Sequence, residues 1–120
     1  MALKIADREV DGVTVLALEG RIVFGEEIVA LSEKVKGLLA AGTKKLVLDL
    51  KNVTMIDSSG FDLLVTAHTS AKSSGASLRL CNLGLRTNKL LEITRLVNVF
   101  EVSDSEADAL RALANRASVG

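Results

Sequence analysis

Hydroxyls and a carboxylate crowd together at Asp57-Ser58-Ser59-Gly60, immediately ahead of an amphipathic stretch. A helix that begins there leaves backbone amides without internal partners and puts partial positive charge at its start. Ser58 or Ser59 can cap those amides, as Ser and Asp do at many helix starts. The same place suits a phosphate, which a helix end favours by roughly 0.3–1 kcal/mol. The hydroxyl is therefore either a cap or a phosphorylatable switch. Nucleophilic catalysis asks for more, because Ser58 would need a base to take its proton. The sole histidine, His68, falls about ten residues into the expected helix, roughly 15 Å along its axis. It reads as a flanking surface or half-buried residue. Asp57 reads as the turn partner of a neighbouring hydroxyl, and Asp49 as a satisfied strand-end carboxylate. No Ser-His-Asp set assembles, so no catalytic residue is assigned.

Metal and cofactor chemistry find no residues to carry them. One cysteine, Cys81, and one histidine leave no ordinary zinc-ligand set and no internal disulfide, which fits a reducing cytoplasm. No Gly-rich phosphate cradle is present, so no cofactor is expected. Fifteen Lys+Arg balance fifteen Asp+Glu, and a neutral chain carries no electrostatic footprint for nucleic acid or an anionic membrane. Aromatics are 2% of the chain, all Phe, so bases and sugars have nothing to stack on. No stretch approaches the ~20 apolar residues of a membrane span. At 120 residues, 48% hydrophobic and 25% charged, the chain makes one domain, 1–120, with an ordinary globular balance. A domain that binds another protein is expected ahead of an enzyme.

The elements that would position the site are clearly punctuated. Asp11-Gly12 sits between two partly alternating runs, Leu3–Val10 and Val13–Glu19, and predicts a tight hairpin. Gly20 ends the second strand. Ile28, Leu31, Val35, Leu38 and Leu39 recur at helical spacing until Gly42. The nearly continuous apolar run Leu46–Leu50 predicts a central strand covered on both faces, and residues 51–58 a polar connection. A helix follows from about Ser59 to Ser74, then a strand at Ser77–Cys81, a helix over Leu85–Leu96 and a short strand over Val97–Val102. Ser103-Asp104-Ser105-Glu106 has a capping-box pattern ahead of a last helix anchored by Leu110 and Leu113 and running to about Asn115. The order β-β-α-β-α-β-α-β-α implies an α/β fold: a mixed five-stranded sheet, one antiparallel edge strand, and about four helices mainly on one face.

With those elements in order, the chain resembles a STAS domain of the anti-sigma factor antagonist family over nearly its whole length. The resemblance rests on Leu46–Leu50, Val53 and Ile56-Asp57-Ser58-Ser59-Gly60. It continues through Leu78-Arg79-Leu80-Cys81, Leu90-Leu91, Thr94-Arg95-Leu96 and Val99-Phe100, and ends in Ser103-Asp104-Ser105-Glu106-Ala107. It implies a STAS-type fold and a non-enzymatic switch in the cytoplasm. The unphosphorylated form would bind an anti-sigma factor that is itself a serine kinase, freeing a sigma factor for transcription. The kinase would phosphorylate Ser58, releasing the complex, and a metal-dependent serine phosphatase would restore the hydroxyl. Asp57, Ser59, Gly60, Phe61 and Asp62 would form the partner-binding start of the helix. The chain departs from the family pattern at Phe61-Asp62, where Leu-Gly is usual, and at Val23, where an acidic residue is commoner. The alternative is a STAS docking subunit of another assembly, such as a lipid-transport or stress-sensing complex, without a phosphorylation switch. The protein would be a monomer, or a weak dimer through the exposed hairpin edge.

Overall fold

The computed structural model describes residues 3–93 and 100–119. Its elements are β1 (Lys4–Val10), β2 (Val13–Ile22), α1 (Glu26–Ala40), β3 (Lys45–Ile56) and α2 (Ser58–Ser73), followed by β4 (Ser77–Cys81), α3 (Leu85–Ile93), β5 (Glu101–Ser103) and α4 (Glu106–Val119). Asp11 and Gly12 both take positive φ, 51° and 80°, as a two-residue turn matched to strand twist requires. The turn sets Val10 opposite Val13 and makes β1 an antiparallel edge strand. The spatial order is β1-β2-β3-β4-β5, and β2 to β5 run parallel. The connections that leave β2, β3 and β4 therefore gather at one edge of the sheet, where open α/β sheets place their functional sites.

Alternation divides the strands between two cores. Leu16, Leu18, Leu46, Leu48, Leu50, Leu78 and Leu80 pack against α1 and α2, joined by Leu91 of α3. Val13, Val15, Val47 and Cys81 point the other way and meet Ala109 and Leu113 of α4. Three helices thus share one face and α4 seals part of the other. β3 is covered on both sides, as its apolar run predicts.

The strands run further than the sequence suggests. Residues 51–56 belong to β3 rather than to a connection, and Gly20 does not end β2. The pairs Glu19↔Asn52, Gly20↔Val53, Arg21↔Met55 and Ile22↔Ile56 carry the ladder on, with register shifts between Ala17 and Glu19 and between Gly20 and Arg21. Each shift gives β3 one extra residue, and such bulges break the period-two pattern by which a strand is recognised.

Towards the C-terminus, residues 94–96 of the expected third helix and 97–99 of the expected last strand lie outside the described residues. The expected capping box is displaced by two residues. Ser105, not Ser103, caps α4, its Oγ accepting from the Asp108 amide at 3.1 Å. Ser103 is buried in β5, where its Oγ accepts from Arg79 Nε at 3.0 Å, and Glu106 pairs with Arg8 across the sheet face. The last helix also continues past Asn115 to Val119.

Candidate functional site

α2 begins at Ser58, one residue ahead of the expected start, and its N-cap is Asp57 in extended conformation. Neither serine caps the helix. Asp57 Oδ1 accepts from the Gly60 amide at 2.8 Å, and its second oxygen, Oδ2, accepts from the Phe24 amide at 2.9 Å. The two donors meet two different oxygens, and the single hydroxyl oxygen of a serine cannot stand in both places. The Asp57 amide donates in turn to the Ile22 carbonyl at 3.3 Å, and the Phe61 amide donates to the Asp57 carbonyl at 3.0 Å. Asp57 therefore ties the start of α2 to the segment leaving β2. The Phe24 amide first, and the Gly60 amide second, hold its carboxyl below the usual carboxylate range.

With capping assigned to Asp57, the Ser58 hydroxyl is spared that work, and the residue is exposed on the first turn. Ser59 and Phe61 are half-buried, and Phe61 leans on the main core. Asp62 is exposed and stands four residues after Ser58, hence beside it on the helix surface. Gly60 is buried. A Cβ there would lie 2.2 Å from the Ile22 carbonyl oxygen and 2.8 Å from Ile56 Cγ2. Gly60 is what lets the helix start seat against the end of β2.

His68 and Asp49 do not join the site. His68 lies half-buried with its ring edge-on to Phe100, centroids 6.0 Å apart. Asp49 Oδ1 accepts from the Lys51 amide and from Asn82 Nδ2, both at 3.0 Å, so its carboxylate is satisfied within the sheet. Among the described residues no three His, Cys, Asp or Glu side chains are grouped to hold a metal ion, and no helix is long and apolar enough to cross a membrane. The residue that sequence reasoning missed is Phe24, 80% exposed and bonded through its amide to Asp57. An isolated apolar residue between a strand and a helix has no periodicity to reveal it. The signal available was Gly25 beside it, which breaks the chain direction and leaves the ring outside both elements.

The arrangement offers an exposed primary hydroxyl on the first turn of a helix, with Asp57 immediately before it and Asp62 four residues on.

The STAS domain family model matches residues 4–109. The chain is 23% identical over 113 residues to the anti-sigma F factor antagonist of Paenibacillus polymyxa, covering 94% of this chain and 97% of that one. Its fold matches the crystal structure of an anti-sigma factor antagonist from Mycobacterium paratuberculosis with TM-score 0.80 and 23% identity, over 92% of each chain. It also matches the Bacillus cell fate determinant SpoIIAA in its phosphorylated form, with TM-score 0.71 and 15% identity, over 92% of this chain and 99% of that one.

Proposed function

The chain belongs to the STAS domain family, and from that premise we propose that it is an anti-sigma factor antagonist switched by phosphorylation at Ser58. In this reading the unphosphorylated protein docks the exposed start of α2 on a serine-kinase anti-sigma factor and frees a sigma factor for transcription. The kinase passes the γ-phosphoryl group of ATP to Ser58 Oγ; the hydroxyl proton goes to a base of the kinase, and ADP leaves. A metal-dependent phosphatase hydrolyses the ester and restores the hydroxyl. The protein itself performs no catalysis and acts in the cytoplasm, where its buried free Cys81 is at home.

The observation that carries the reading is the exposure of Ser58 on the first turn of α2 while Asp57 does the capping. A hydroxyl spent on a cap could be modified only at the expense of the helix. Here modification leaves the cap in place. A phosphoryl group adds about −1.5 to −2 charge and considerable bulk. It would stand beside Asp57 and within one turn of Asp62, so repulsion adds to the loss of shape at a surface fitted to a small hydroxyl. SpoIIAA, whose fold this chain shares, is known in a phosphorylated form, which fits this chemistry.

The test is incubation of the purified protein with ATP and the serine-kinase anti-sigma factor of its own organism. Tandem mass spectrometry is expected to place one phosphoryl group on Ser58, and Ser58→Ala is expected to accept none while still binding. Ser58→Glu is expected to bind about tenfold or more weakly, a difference of ~1.4 kcal/mol. Equal binding by all three proteins with no phosphate incorporated would leave the domain a docking subunit without a switch.

A further inference from the structure

We propose that Phe24 is the apolar anchor of the docking surface, and that Asp57 is the positioning residue that presents it to a protein bearing an apolar socket bordered by Lys or Arg. This rests on the docking role proposed above and names the residues that carry it.

Phe24 is 80% exposed, yet its backbone is held. Its amide donates to Asp57 Oδ2 at 2.9 Å, and Ile22, two residues earlier, is fully buried with its carbonyl accepting from the Asp57 amide at 3.3 Å. An exposed aromatic costs free energy in water, and one on a pre-tied segment loses little freedom on binding. Central aromatics of that kind carry a disproportionate share of interface energy. Its amide is tied to the residue that immediately precedes Ser58, so a partner seated over the hydroxyl has the ring within reach.

The surroundings specify the charge of the partner. Residues 23–27 and 57–62 contain four carboxylates, Glu26, Glu27, Asp57 and Asp62, and no Lys or Arg. In sequence the base nearest to these segments is Arg21, exposed near the end of β2. An acidic collar around an apolar ring is complemented by a basic rim around an apolar socket. The phosphorylation switch would also act on this anchor. A phosphoryl group on Ser58 sets its charge beside the carboxylate of the residue that holds Phe24.

The experiment measures affinity for the serine-kinase anti-sigma factor of the same organism by calorimetry, with wild type, Phe24→Ala, Phe24→Tyr and Asp57→Ser. Phe24→Ala is expected to weaken binding about 30-fold or more, the loss typical of a hot-spot aromatic, with its unfolding midpoint unchanged. Phe24→Tyr restores most of the affinity. Asp57→Ser keeps a side-chain acceptor for Gly60 but has no second oxygen for Phe24. It is therefore expected to stay folded, to bind about fivefold more weakly, and to speed amide exchange at Phe24 in NMR spectra. If wild type binds and Phe24→Ala binds within about threefold of it, the anchor is wrong and the docking role stands. If Asp57→Ser leaves both affinity and Phe24 exchange unchanged, the positioning role is wrong. If wild type itself does not bind, the docking role fails and the anchor falls with it.

Discussion

Three neighbouring residues divide the work at the start of α2. Asp57 caps, Gly60 allows the approach, and Ser58 is left exposed on the first turn. The Gly60 position predicts a large effect, because a Cβ would sit 2.2 Å from the Ile22 carbonyl oxygen and a backbone atom cannot swing aside. Gly60→Ala is expected to destabilise the fold by about 3 kcal/mol, at the upper end of overpacking costs, as measured by urea unfolding. Asp57 predicts a pH dependence whose sign follows from its depressed carboxyl, lowered from 3.8 by the Phe24 and Gly60 amides. A carboxyl lower in the folded than in the unfolded chain contributes stability that is complete above the unfolded value and is lost as pH falls through the folded one. The stability difference between wild type and Asp57→Asn should accordingly be constant at neutral pH and shrink as pH drops below about 4. A difference that grows on acidification would contradict the two hydrogen bonds.

At the scale of elements, α4 is the helix whose removal the sheet would feel on its second face. Leu113 is fully buried there against a cluster of Val13, Val15, Val47 and Cys81. Leu113→Ala is expected to cost about 2–5 kcal/mol, the range for emptying a leucine site in a core, in an equilibrium denaturation curve. The exposed ion pair between Arg8 and Glu106 that also ties α4 to β1 contributes far less, since solvent screens it. The elements themselves were readable where one force dominated: the Asp11-Gly12 turn, the both-face burial of Leu46–Leu50, the helical stripe from Ile28 to Leu39. They were misread where the backbone did something periodicity does not encode. Bulges in β3 shift side chains between faces and made 51–56 look like a connection. Both helix starts were misplaced for a common reason. Ser and Asp are interchangeable as capping candidates on paper, and the choice between Asp57 and Ser58, or between Ser105 and Ser103, is made by which backbone amide lies within 3 Å or so. The Ser58 neighbourhood was legible from motif and position, whereas Phe24 depends on a contact with Asp57 across 33 residues and leaves no local trace.

At the scale of the whole molecule, the proposed switch sits on an edge of a sheet whose interior it does not need to disturb. Cys81 reports on that interior. It pairs with Asp49 in the ladder between β3 and β4, is fully buried, and has its thiol pushed up to about 12, chiefly by burial and then by the charges of Asp49 and Glu106. The thiolate is the reactive form, so a thiol held that high and closed off by α4 reacts only when the sheet opens. Iodoacetamide labelling of the native protein near pH ~8 is therefore expected to be slow and to accelerate with denaturant in step with the unfolded fraction. Ser58→Glu should label at the wild-type rate, because a charge at the start of α2 resets association without loosening β3 and β4. Leu113→Ala, by contrast, opens the face that covers Cys81 and should label many times faster. A phosphomimetic that labelled as fast as the core variant would mean that the switch works by unfolding the domain rather than by changing its surface.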